Sequence, residues 1–144
     1  MNADDPFDLD RFVSAQRIVY DIALNEIRNG RKQSHWMWFI FPQLAGLGLS
    51  SRSAKFAIKS LAEANAYLAH PVLGPRLVEI AHAALNFEGL SAREIFGAPD
   101  DQKLQSCATL FAHVSAAGSV FQALLDKYFD GHADERTVQL LNAR

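Results

Sequence analysis

The sequence predicts an all-α fold, a compact single-domain bundle of about six to eight helices, and three observations carry that reading. Apolar residues recur at helical spacing in four separate stretches. Two Ser-x-x-Glu patterns, Ser60 with Glu63 and Ser91 with Glu94, have the form of capping boxes. No convincing alternating strand, no Asn-Gly hairpin signal and no fixed-period repeat competes with them. At 144 residues the chain suits one domain over residues 1–144, with residues 1–6 as a flexible lead.

In chain order, Phe12, Ala15, Val19, Ile22 and Ala23 share a face of a first helix over residues 9–29, with Asp8 as N-cap and Gly30 as stop. Residues 35–41 are apolar all round whether wound as a helix or extended as a strand, so their conformation stays open and most of them belong to the core. A short helix from about Ser53 either stands alone or merges with the one that Ser60 and Glu63 open, which covers Ala64 to Ala69 and is ended by Pro71. Pro75 fits the first turn of the next helix, whose Leu77, Ile80, Ala81, Ala84 and Leu85 form the clearest stripe in the chain. Ser91 and Glu94 precede the short segment Ile95-Phe96, ended by Gly97. Pro99 and Asp100 open a further helix with Leu104, Cys107, Ala108, Phe111 and Val114 inward. Phe121, Leu124, Leu125 and Tyr128 mark another, stopped at Gly131, and Asp134 caps a last turn carrying Val138, Leu140 and Leu141.

Charge and composition exclude several classes. With 14 basic and 16 acidic residues the net charge is -2, so no broad positive field attracts a phosphate backbone and nucleic acid is not an expected partner. The single cysteine, Cys107, rules out an internal disulfide and suits a reducing cytoplasm. The acidic start Met1-Asn2-Ala3-Asp4-Asp5-Pro6 has no signal-peptide pattern. No formal charge lies between Lys32 and Arg52, yet Pro42, Gln43, Gly46 and Gly48 interrupt the span, so a membrane helix is not expected.

Candidate chemistry concentrates between Gly30 and Gln43. Arg31 and Lys32 offer positive charge to an anion, His35 can exchange a proton near neutral pH, and Trp36 or Trp38 can stack on a planar ring or a cation. Ser34, as N-cap of a helix begun at His35, would aim free backbone N–H groups at the same neighbourhood. Gln43 has amide groups able to read a polar ligand. Each residue also has a plainer reading: the indoles as core, the basic pair as solvated charge, Ser34 as a cap and Gln43 as a turn residue.

A second candidate lies at Asp100 and Lys103. The adjacent carboxylates of Asp100 and Asp101 can bind a metal or serve as acid and base, but at a helix start the dipole favours them as capping charges. Lys103 falls on the outer face beside Gln102 and Ser106, paired with Asp100 or solvated. Cys107 reads as a small buried hydrophobe, and His70 is placed to meet the carbonyls of a helix end. No familiar enzyme motif and no metal-ligand spacing occurs, so no cofactor or metal is expected and no catalytic residue is assigned.

The segments Ser34 to Gln43, His70 to Leu77, Phe96 to Leu104 and Thr109 to Ala112 closely resemble the bacterial domain-of-unknown-function eighteen-ten family. The resemblance covers about Asp5 to Leu141 and implies a compact, mostly helical domain with no established activity. Members of that family are sometimes labelled calpastatin. Calpain inhibitors of that name act through extended, largely disordered repeats, which this regularly striped chain lacks.

Three functional readings follow. The first is a binding domain for a small anionic or nucleotide-like ligand. The second is a hydrolase acting on ADP-ribosyl or related glycosidic bonds, and the third is a helical protein-interaction domain. A pocket joining the Arg31 to Gln43 segment with Asp100 and Lys103 supports the first two, and a flat apolar patch the third. The oligomeric state is open.

Overall fold

The computed structural model describes residues 4–48 and 50–143. Among them are nine helices and no strand: α1 (Asp10–Arg28), α2 (Met37–Ile40), α3 (Ser51–Phe56), α4 (Leu61–Ala69), α5 (Leu73–Asn86), α6 (Ala92–Phe96), α7 (Asp100–Ala112), α8 (Val120–Phe129) and α9 (Glu135–Asn142). The all-α class is as the sequence predicts. The count exceeds the expected range because residues 37–40 wind into a turn of helix and α3 stays separate from α4. Between α3 and α4 the chain extends, and Ile58 forms an isolated parallel bridge with Leu44.

Capping explains most boundaries. Ser60 accepts from the Glu63 N–H at 3.0 Å and so caps α4, but Glu63 does not complete the box. Its carboxylate accepts from the Lys59 N–H and pairs with Arg11 at 2.7 Å. Ser91 and Glu94 do form both halves of the box at α6. Asp134 caps α9 by accepting from the Thr137 N–H at 2.9 Å.

Two expected caps are corrected. Asp8 does not cap α1; it adopts a left-handed φ of 52°, and Asp5 reaches forward instead, accepting from the Leu9 and Asp10 N–H groups at 2.7 and 3.0 Å. His70 does not meet the carbonyls ending α4. Its Nδ1 accepts from the Val72 and Leu73 N–H groups at 3.1 and 3.2 Å, so it caps the start of α5. Of the expectation for residues 1–6, residues 1–3 lie outside the described residues.

The buried face of α1 also differs. Gln16 and Tyr20 turn inward while Ile18 and Ile22 are exposed. The polar pair tolerates burial because its bonds are met. Gln16 donates to the Phe39 carbonyl at 2.7 Å and to the Tyr67 hydroxyl at 3.1 Å, and Tyr20 donates to Glu79.

Helix α5 packs against α1, α4 and α8, and α7 packs against α6, α8 and α9. A run of aromatic contacts threads the core: Phe12 meets Tyr67 edge-on at 5.1 Å, Tyr67 meets Phe111 at 5.4 Å, and Phe111 meets Phe121 at 5.6 Å. Each such fully buried side chain contributes about 1.5–3 kcal/mol of apolar transfer. A second run, Trp36 to Phe41 at 6.2 Å and Phe41 to Phe96 at 5.7 Å, fastens α2 and the chain after it onto α6. This contact fixes the segment that carries the candidate site.

Candidate functional site

The segment from Gly30 to Gln43 divides into an inward part that bonds to the chain itself and an outward part that faces a cleft. The inward part begins where α1 stops. Gly30 takes φ +76°, its N–H reaches the Ile27 carbonyl at 2.9 Å and the Arg31 N–H reaches that of Glu26 at 3.0 Å, a Schellman close. The chain then wraps around the Glu26 carboxylate. Gln33 and Ser34 donate backbone N–H groups at 2.8 and 3.0 Å, the Ser34 hydroxyl donates at 2.6 Å and the Trp36 indole at 2.9 Å.

The anion expected beside Ser34 is therefore Glu26. Burial acts to raise its pKa, but donors from Ser34, Gln33 and Trp36 outweigh burial and hold the carboxyl below its ordinary range. Ser34 does not cap a helix begun at His35, because its hydroxyl is committed to Glu26. Trp36 takes the N-cap position of α2 and makes no side-chain cap bond.

Lys32 is also bound inward. Its ammonium lies 2.9 Å from Asp100, donates to the Ser34 carbonyl at 2.5 Å and sits 4.8 Å from the Trp36 ring centre, with the side chain 8% exposed. Lys103 reaches the other oxygen of Asp100 at 3.3 Å. Asp100 thus lies between two ammonium groups and makes no side-chain cap bond at α7. One carboxylate oxygen of Asp101 is buried with no hydrogen-bond partner among the described residues. The basic pair separates: Lys32 is buried in an ion pair, while Arg31 and His35 are exposed.

The two indoles separate as well. Trp36 is fully buried, whereas Trp38 is half-buried, with the Lys103 ammonium 4.9 Å and the Arg52 guanidinium 5.4 Å from its ring centre. Trp38 lines a cavity of about 280 Å³ together with Gln43, Ser53 and Lys59. A second cavity of about 250 Å³ shares Gln43, Gly48 and Ser53 and adds Lys103, Ser106 and Arg136. The two adjoin at these shared residues and, taken together as a cleft, lie between the chain after α2, the start of α3, the first turns of α7 and the start of α9.

The chain positions Gln43 firmly. Its carbonyl accepts from the Ile58 N–H at 2.8 Å, while its side-chain amide makes no hydrogen bond with a described residue. Among the described residues Lys59 and Arg136 have no ion-pair partner. Asp134, the acid on the second cavity, is committed to the Thr137 N–H and hydroxyl. The cleft therefore offers cations, an aromatic wall and an unengaged amide, the equipment for holding a planar or anionic molecule.

Of the residues singled out by sequence, Trp38, Gln43 and Lys103 meet in this cleft. Lys32, Ser34, Trp36 and Asp100 build its inner support, and Arg31 and His35 do not line it. Glu26, Arg52, Lys59 and Arg136 were not anticipated, since isolated charges in three distant segments carry no local pattern. Among the described residues no group of three or more His, Cys, Asp or Glu side chains is placed to hold a metal. Cys107 is buried, and burial pushes its thiol pKa well up, so it is not an available nucleophile. No helix among the described residues is long and apolar enough to cross a membrane.

Fold and site together define a small all-α domain with an aromatic and cationic cleft. The chain belongs to the DUF1810 family, proteins of unknown function, whose model matches residues 6–141. It is similar to a solved structure, that of the conserved hypothetical protein Rv1873 from Mycobacterium tuberculosis, at 54% identity and a TM-score of 0.94. That match covers 96% of this chain and 99% of the other. No curated protein matches the chain.

Proposed function

We propose that this protein is a binding domain for a small anionic ligand, held in the cleft between Trp38 and Arg136. The observation that carries the reading is the convergence of Trp38, Gln43, Lys103 and Arg136 on adjoining cavities, with the Gln43 amide and the Arg136 guanidinium unengaged among the described residues. Such concave, mostly apolar spaces with a few convergent polar groups are the usual form of small-molecule sites. The cleft joins only the Gln43 end of the Gly30 to Gln43 segment to α7, which favours a ligand at Trp38 over one beside Arg31 and His35.

A panel of phosphate-bearing metabolites tests this. A ligand that binds only the folded state raises the melting temperature by mass action. Lys103→Ala combined with Arg136→Ala should weaken any such shift at least about tenfold in apparent affinity, as loss of two charge-assisted contacts demands. A panel that gives no shift, or a shift indifferent to the double change, overturns the reading.

A further inference from the structure

We infer that the cleft is bipartite and takes a nucleoside monophosphate, its base against Trp38 and its phosphate between Lys103 and Arg136. The inference rests on the anion-binding reading of the cleft and goes further by fixing the ligand's class and orientation.

The two cavities differ in chemistry. The first is walled by Trp38, Leu44, Phe56 and Ala57 and carries its one cation, Lys59, on an exposed residue. The second has a larger polar share and is lined by Lys103 and Arg136, with Asp134 engaged by Thr137. An aromatic and aliphatic chamber suits a planar base, because every base presents a π-face to an indole. A chamber with an ammonium and a planar guanidinium suits a phosphate, which the guanidinium can grip with two parallel N–H donors. Alone, each cavity falls short of the ~300 Å³ at which small-molecule sites begin, so the proposed ligand must span both.

The junction is built from Gly48 and Ser53, with Gln43 beside it. A Cβ at Gly48 would stand 2.3 Å from the Ser53 hydroxyl oxygen and 2.4 Å from its Cβ, so a side chain there displaces Ser53 or the Gly48 backbone at the boundary of the two chambers. The Ser53 hydroxyl is tied to that of Ser50 at 2.9 Å, which leaves it little freedom to move aside. The Gln43 amide, which bonds to no described residue, lines both chambers, where a sugar or a base edge would lie.

Titration calorimetry on the intact chain with ribose 5-phosphate, adenosine, adenosine monophosphate and guanosine monophosphate tests the arrangement. The nucleotides should bind about ten- to a hundredfold more tightly than ribose 5-phosphate, the gain given by one base stacked on an aromatic ring. Trp38→Leu should erase that gain, while Trp38→Phe should keep most of it. Gly48→Ala should weaken the nucleotides more than ribose 5-phosphate. Equal affinity of nucleotides and ribose 5-phosphate for the unaltered protein overturns the inference while leaving the anion-binding reading intact. Adenosine binding as tightly as its monophosphate overturns the placement of the phosphate, and no binding by any of the four removes both.

Discussion

Glu26 shows at the level of a single residue how the sequence misleads about this site. Ser34 and the free N–H groups beside it were legible as part of an anion-binding set with Arg31 and Lys32, but the anion that Ser34 and Trp36 hold is Glu26, eight residues before Ser34 on α1. No local pattern links Glu26 to Ser34; only the reversal of the chain at Gly30 does. The stabilisation has a definite pH sense. The folded pKa is lowered, so the contribution is fully present above the unfolded carboxylate value and is lost as pH falls through the lower folded value. Glu26→Gln should cost about 2 kcal/mol at neutral pH, since a charged acceptor of four hydrogen bonds becomes a neutral amide. That gap should narrow in denaturant unfolding below about pH 4, and a gap independent of pH would contradict the assignment. The neighbouring basic pair makes a second test. Lys32→Ala should cost about 3 kcal/mol because it leaves Asp100 short of a partner in a largely buried pair. Arg31→Ala, at an exposed position, should change stability by less than about 0.5 kcal/mol.

Elements were more legible than sites because caps and breakers act over a few residues. Ser60, Ser91, Asp134, Gly30 and Gly97 each mark a boundary through a bond or a backbone angle that depends on that residue alone. Where partners came from farther along the chain, pattern reading failed. Asp5 displaces Asp8 at the start of α1, and Gln16 displaces Ile22 on its buried face because Phe39 and Tyr67 satisfy the amide. Residues 35–41 were undecidable by periodicity, since a uniformly apolar run has no face; contacts with Phe96 and Glu26 set its course. Gly30 is the element whose role is most exposed to test. Its φ is +76°, and a Cβ there would stand 2.3 Å from the Phe87 ring. Gly30→Ala should therefore cost about 3 kcal/mol, combining left-handed strain with overpacking. Thermal unfolding measures this directly, and an unchanged melting temperature would show that the turn relaxes without cost.

At the scale of the molecule, the cleft is assembled from pieces more than ninety residues apart in sequence, from Trp38 to Arg136. That is why composition and spacing pointed to the Gly30 to Gln43 segment and to Lys103 but not to Arg52, Lys59 or Arg136. The core was readable because apolar stripes are periodic, whereas the surface brought together by α2, α3, α7 and α9 depends on how four elements pack. The inner network that runs through Glu26, Trp36, Lys32 and Asp100 holds Lys103 over Trp38, so support and site are one continuous set of contacts. We propose that this cleft, and not the Arg31 and His35 surface, receives an anion. A ¹H–¹⁵N correlation spectrum recorded during titration with adenosine monophosphate separates the two most directly, because each indole reports from a different side. The Trp38 indole, the Gln43 side-chain amide and the Gly48 amide should shift together, while the Trp36 indole, held by Glu26, stays in place. Shifts confined to Arg31, His35 and the Trp36 indole, with Trp38 and Gln43 unmoved, would contradict the account.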